Sequence, residues 1–205
     1  MTFRQLKAVF DRSESSVGLN LPIYRTGVGI WVPTPVEVIY KALRWLLDTE
    51  WYKRTASLTV IDAGSGDGRV AMLFSWLAAN RTVLGVEYDP TLARRAASCL
   101  DALRKKKVAD FSRLNLVQGN YLDIDSYRPF SEILLGQSLV MNYPETRLGN
   151  HERLAEFMHS KMFHESRLCL LSHVSFSTVG QFRLDSCCEI KAKDDSLWHA
   201  SLLKV

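Results

Sequence analysis

Three glycines and two aspartates share one short turn in TVIDAGSGDGRV (Thr59–Val70): Gly64, Gly66 and Gly68 stand at every second position, with Asp62 ahead of them and Asp67 among them. Glycine takes backbone angles closed to other residues and lets a ligand come close to the main chain. A short apolar run, then this turn, then a helix-forming segment make the strand-to-helix cradle on which ligands sit in open parallel sheets. Two more polar clusters follow at predicted strand ends. In GVEYD, Glu87 can accept hydrogen bonds from a pair of ribose hydroxyls; in QGNYLD, Asn120 and Tyr121 can hydrogen-bond to and stack on a base.

The charges select the ligand. A phosphate-gripping loop needs a lysine after its last glycine, and none follows here. A dinucleotide turn needs glycine or alanine where Arg69 stands, and its pyrophosphate would be repelled by Asp62 and Asp67. S-adenosylmethionine carries an ammonium and a sulfonium and no phosphate, so the same carboxylates favour it. Each residue also has a plainer reading: Asp62 can cap the helix that follows, and Tyr121 can belong to the core.

The elements that must hold these groups alternate along the chain. Thr34 as N-cap and Pro35 as first helical residue predict a helix over Pro35–Leu47. Strands follow at Leu58–Ala63, Thr82–Glu87, Leu114–Gln118, Leu139–Tyr143 and Arg167–Val174, with helices at Arg69–Ala79, Pro90–Lys105 and Arg147–Met162 and a short helix at Pro129–Gly136. This rhythm predicts an α/β fold, a parallel sheet with helices on both faces. The last two strands, Cys188–Ala192 and Leu197–Lys204, are joined only by Lys193–Ser196, too short for a crossover, so they predict an antiparallel hairpin at the sheet edge. The polar segment before Leu21 reads as a loosely held arm, giving an N-terminal arm over 1–30 and one domain over 31–205.

Composition fits a single core: 205 residues, 47% hydrophobic and 23% charged. The first residues lack a signal-peptide apolar core and no run of about eighteen apolar residues occurs, so the expectation is a soluble intracellular protein without a membrane partner. The net charge of +4 is modest, and the basic run Arg104–Lys107 closes a predicted helix where cations suit the dipole. Cys99, Cys169, Cys187 and Cys188 show no metal-ligand spacing and read as reduced thiols.

VIDAGSGDG, GVEYD and QGNYLD together resemble the cofactor motifs of class I, seven-strand S-adenosylmethionine-dependent methyltransferases. The resemblance runs from about Trp31 to the C-terminus and implies a Rossmann-like seven-strand mixed sheet with a terminal antiparallel hairpin. Ahead of the glycine strand, IWVPTPVEVI resembles a segment of archaeal-type protein-lysine methyltransferases; LVMNYPE and LLSHVSF resemble their fourth and fifth strands and, more distantly, those of the disruptor-of-silencing histone-lysine methyltransferases. This implies that Trp31, Thr34 and Pro35 close over the methionine end of the cofactor and that Asn142 and Tyr143 line the acceptor channel; Tyr88 joins the cofactor set with its neighbour Glu87.

The implied reaction is methyl transfer to lysine of a protein substrate, with Trp31 and Tyr143 as an apolar wall that desolvates the ammonium and lowers its pKa. RNA or a small molecule is the alternative acceptor, although Asn142-Tyr143-Pro144-Glu145 matches poorly the Asn-Pro-Pro-aromatic motif of adenine and glutamine methyltransferases. A cofactor-binding partner protein without catalysis is the reading from another class. Asn142 can also be a strand-end turn residue and Tyr143 a packing residue. His173 reads as a core histidine in a buried strand, and Glu145 either as an attractor of a cationic substrate or as a solvent-facing carboxylate at a helix start.

Overall fold

The structure is a computed structural model and describes residues 2–16, 24–26, 29–107, 109–130, 136–143, 150–161 and 165–205. Its central strands are short apolar runs: β3 (Thr59–Ala63), β4 (Thr82–Glu87), β5 (Leu114–Gln118), β6 (Ser138–Asn142) and β7 (Arg167–Ser172). A small antiparallel pair precedes them, β1 (Tyr24–Thr26) and β2 (Gly29–Trp31). Apolar runs of this kind must be covered on both faces, and the chain does so by alternation. Val60 enters a core shared with α1 (Phe3–Ser16), α2 (Val36–Asp48), α4 (Arg69–Leu77) and α5 (Pro90–Lys105), while the next residue, Ile61, enters the core on the other face. That second core is closed by a 3-10 helix (Ile124–Phe130) and α6 (Asn150–Lys161), with Tyr127, Leu154 and Met158 buried in it. The short α3 (Glu50–Arg54) links α2 to β3.

Strand order in the eight-stranded sheet is β5-β4-β3-β6-β7-β10-β9-β8, with β3, β4, β5, β6 and β7 parallel. The chain builds outward from β3 to β4 and β5, then returns to lay β6 on the other side of β3. That reversal sets the carboxyl ends of β3, β4 and β6 side by side, at the place where such sheets take ligands. The architecture is thus the expected Rossmann-like mixed sheet with helices on both faces. The C-terminal hairpin is also present, as β9 (Phe182–Lys191) and β10 (Leu197–Lys204). β10 lies inward between β7 and β9, and the two-residue β8 (Thr178–Val179) adds an eighth strand outside β9. Asp195, at φ 64°, makes the left-handed step that closes the hairpin.

Four expectations need correction or narrowing. The segment read as a loose arm begins with α1, whose Leu6, Val9 and Phe10 lie at helical spacing and are buried. Thr34 is not the N-cap of α2: Pro35 holds that position at ψ 131°, with no side-chain cap. β7 ends at Ser172, so His173 falls outside the buried strand; it is exposed, lies 3.9 Å from Trp198 between ring centres, and its Nδ1 is 3.0 Å from the Leu197 carbonyl. Of the helix read over Pro129–Gly136, residues 131–135 lie outside the described residues, and Pro129 belongs to the 3-10 helix. No helix among the described residues is long and apolar enough to cross a membrane.

Phe10 is 0% exposed and its ring lies 5.5 Å from the Arg69 guanidinium. Phe10→Ala should therefore destabilise the protein by about 3–5 kcal/mol, read as a lower urea midpoint, whereas truncation in a loosely held arm would leave the midpoint unchanged.

Candidate functional site

The glycine turn is built by its own backbone. Gly64 and Ser65 both donate N–H bonds to the Val86 carbonyl, at 2.9 and 3.0 Å, which pulls the turn across the end of β4. Gly64 and Gly66 lie at φ +77° and +55°, angles that side chains resist. Space also forbids a side chain at Gly66, because a Cβ there would overlap Nε1 of Trp31. The indole of Trp31 thus rests directly on the turn, with the guanidinium carbons of Arg69 and Arg95 at 5.7 and 5.2 Å from the ring centre. On Gly64 the near neighbours are Tyr121, whose ring edge is 3.4 Å from the Cβ position, and Asn142 Nδ2 at 3.9 Å.

Glu87 ties the second strand end to the turn. Its Oε2 accepts the Gly66 N–H at 2.7 Å and its Oε1 the Asp89 N–H at 2.8 Å. Burial raises its pKa, and the same two backbone donors oppose the rise. Asp62 lies deeper, 1% exposed. Its Oδ2 accepts the Ala71 N–H at 3.1 Å, so it does cap α4, while Oδ1 is buried with no hydrogen-bond partner among the described residues. Burial pushes its carboxyl up to about 8, against the Ala71 bond and with Glu87 and Asp67 adding to the rise.

Asp67 has a different task from the one its place in the turn suggests. Its Oδ1 and Oδ2 accept from Arg69 Nε at 2.9 Å and Nη2 at 2.6 Å, a two-point pair with both side chains buried. The charge of Asp67 is therefore met by Arg69, which leaves Glu87 and Asp62 as the other carboxyls of the turn. Arg69 also donates from Nη1 to the Thr34 carbonyl at 2.9 Å, which fixes Thr34 and Pro35 beside the turn through main chain.

Trp31, Asp62, Gly64, Gly66, Glu87, Tyr121 and Asn142 lie together around the turn. Tyr88 stands beside Glu87 but is 48% exposed. Asn120 is exposed at a turn, its Oδ1 accepting the Leu122 N–H at 3.0 Å. The Asn142 amide is buried and donates from Nδ2 to the Ala63 carbonyl at 2.7 Å. The Tyr143 hydroxyl is buried without a hydrogen-bond partner among the described residues, and burial followed by the charge of Asp62 raises its pKa. Glu145 lies outside the described residues. The residue missed from sequence is Arg69; the signal was an arginine two positions after a glycine-flanked aspartate and at the first turn of an apolar helix, where its charge needed a buried partner.

No protein-family model matches the sequence, and no curated protein matches it. Solved structures match the fold. The METTL16 MTase domain superposes with a TM-score of 0.61 at 14% identity, over 100% of this chain and 82% of its own. The rRNA methyltransferase AviRa of Streptomyces viridochromogenes gives 0.57 at 12% identity, over 93% of this chain and 92% of its own. TrmK of M. capricolum, solved with S-adenosylhomocysteine, gives 0.52 at 11% identity, over 84% and 68%. The fold is that of the class I methyltransferases. At these identities the likeness defines the architecture, and the reaction has to be read from the residues of the site.

Asp67→Ala would leave Arg69 buried without its carboxylate and should destabilise the protein by about 3–5 kcal/mol, whereas replacing both partners by apolar residues should cost much less. Denaturant unfolding of the single and double variants checks this.

Proposed function

We infer that the protein is an S-adenosylmethionine-dependent methyltransferase whose acceptor atom is a nitrogen. The observation that carries this reading is the orientation of Asn142. Its Nδ2 is committed to the Ala63 carbonyl at 2.7 Å; the flipped amide would set two acceptors against each other. Oδ1 is thereby the atom of the amide available to an incoming group, and an acceptor oxygen beside the cradle suits an N–H.

The residues present fit the cofactor. Glu87 keeps a second lone pair on each carboxylate oxygen for the ribose hydroxyls, and Asp62 Oδ1 is a buried acceptor lacking a partner among the described residues. Trp31 covers Gly66, and Tyr121 lies against Gly64. When bound, S-adenosylmethionine supplies an electrophilic methyl on a sulfonium. The protein's part is to align: Asn142 orients the acceptor N–H, while Asp62 and Glu87 balance the positive charge of the cofactor.

The acceptor that the sequence motifs favour is a protein lysine. An RNA base nitrogen is the second reading, supported by two similar structures that are by name an rRNA and, in the B. subtilis TrmK, a tRNA methyltransferase. Incubation with tritiated cofactor and cell extract separates them: protease-sensitive label supports lysine, nuclease-sensitive label RNA, and binding without label in either would leave a cofactor-binding protein. In the labelled reaction Asn142→Ala should lower kcat about tenfold or more while the dissociation constant for the cofactor stays within twofold.

Asp62 gives a pH signature. Below about pH 8 its carboxyl holds a proton that a neighbouring cation must displace. Affinity for S-adenosylmethionine should therefore fall as pH is lowered from about 7.5 to 6, by up to about tenfold per unit, and Asp62→Asn should flatten the dependence. Calorimetric titration across that range measures it.

A further inference from the structure

The sheet register places Asp62 opposite Met141, and Met141 opposite Cys169. Side chains alternate along a strand, so Tyr143, two residues past Met141, faces the same side as Asp62 and lies one step nearer the ligand end of the sheet. Asn142, between them in sequence, faces the other side, toward Ala63 and Gly64. Adjacent residues at one strand end are therefore turned to different tasks.

On the Asp62 side, Asp62 Oδ1 and the Tyr143 hydroxyl are buried and lack a hydrogen-bond partner among the described residues. The other Asp62 oxygen is held by the Ala71 N–H. A buried tyrosine hydroxyl ordinarily finds a partner, and an orphaned one carries a desolvation penalty. The two groups also feel each other, since the charge of Asp62 disfavours ionisation of Tyr143. A carboxylate oxygen and a phenol oxygen, buried on the same side of the sheet and close enough to influence each other's charge, form an acceptor pair. A primary ammonium, with three donors and one positive charge, completes both.

We propose that Tyr143 is a cofactor-binding residue that, together with Asp62, holds the α-ammonium of the amino-acid end of S-adenosylmethionine. This assignment rests on the cofactor reading above and moves Tyr143 from the acceptor side of the site to the cofactor side. Lysine desolvation then falls to other groups, and Tyr143 contributes to choosing the cofactor over adenosine thioethers that lack the amino group.

The test compares two probes, S-adenosylhomocysteine and its desamino analogue in which hydrogen replaces the amino group, titrated into wild type and Tyr143→Phe. Phenylalanine keeps the ring and removes only the orphaned hydroxyl, so the variant should melt no lower than wild type without ligand. Tyr143→Phe should weaken S-adenosylhomocysteine about tenfold and leave the desamino analogue unchanged. Equal weakening of both probes, or unchanged cofactor affinity with a fall in kcat, overturns the assignment. A wild-type preference for S-adenosylhomocysteine over the analogue of less than about threefold overturns it without any variant. If wild type binds neither probe, the failure lies with the cofactor reading itself.

Discussion

A buried guanidinium cannot stand without a counter-charge, and the site is organised around how Arg69 meets that requirement. Its two-point pair with Asp67, at 2.9 and 2.6 Å, orders the turn after the glycines. Its Nη1 reaches the Thr34 carbonyl, and the planar cation lies near the rings of both Phe10 and Trp31. One side chain thus binds three stretches of chain distant in sequence: the first helix, the segment leading into α2 and the glycine turn. Trp31 covers Gly66 with the guanidinium carbons of Arg69 and Arg95 at 5.7 and 5.2 Å from its ring centre. The floor of the cradle and its cover are held by the same ion pair.

The sheet supplies the rest by topology. Because β3 is flanked by β4 and β6, the residues that end these three strands are neighbours in space while being far apart in the chain. The Val86 carbonyl accepts two turn N–H groups, and the Glu87 carboxylate accepts a third from Gly66. These bonds fix the backbone angles that glycine permits, so the turn is shaped before any ligand arrives. Preorganisation of this kind suits a reaction in which alignment supplies much of the acceleration.

Much of this was legible in the sequence, for reasons specific to each part. The strands β3 to β7 are apolar runs punctuated by turn residues, and their alternation with helices leaves few topologies. The glycine turn was legible because its backbone angles suit few residues other than glycine. The first helix was hidden because its apolar stripe, Leu6, Val9 and Phe10, is narrow and set among polar residues. The role of Asp67 was misjudged because a carboxylate facing a ligand and one paired two residues on with Arg69 read alike in sequence. His173 was read one residue too deep, since β7 stops at Ser172.

The buried carboxyl of Asp62 has a calorimetric consequence. A group that burial holds near 8 enters the binding equilibrium largely protonated at neutral pH, and a cation settling beside it sends that proton into the buffer. The heat of association then contains the buffer's own heat of protonation. Two buffers at one pH, such as phosphate and Tris, would report different enthalpies for a single affinity, and the difference would count the protons released.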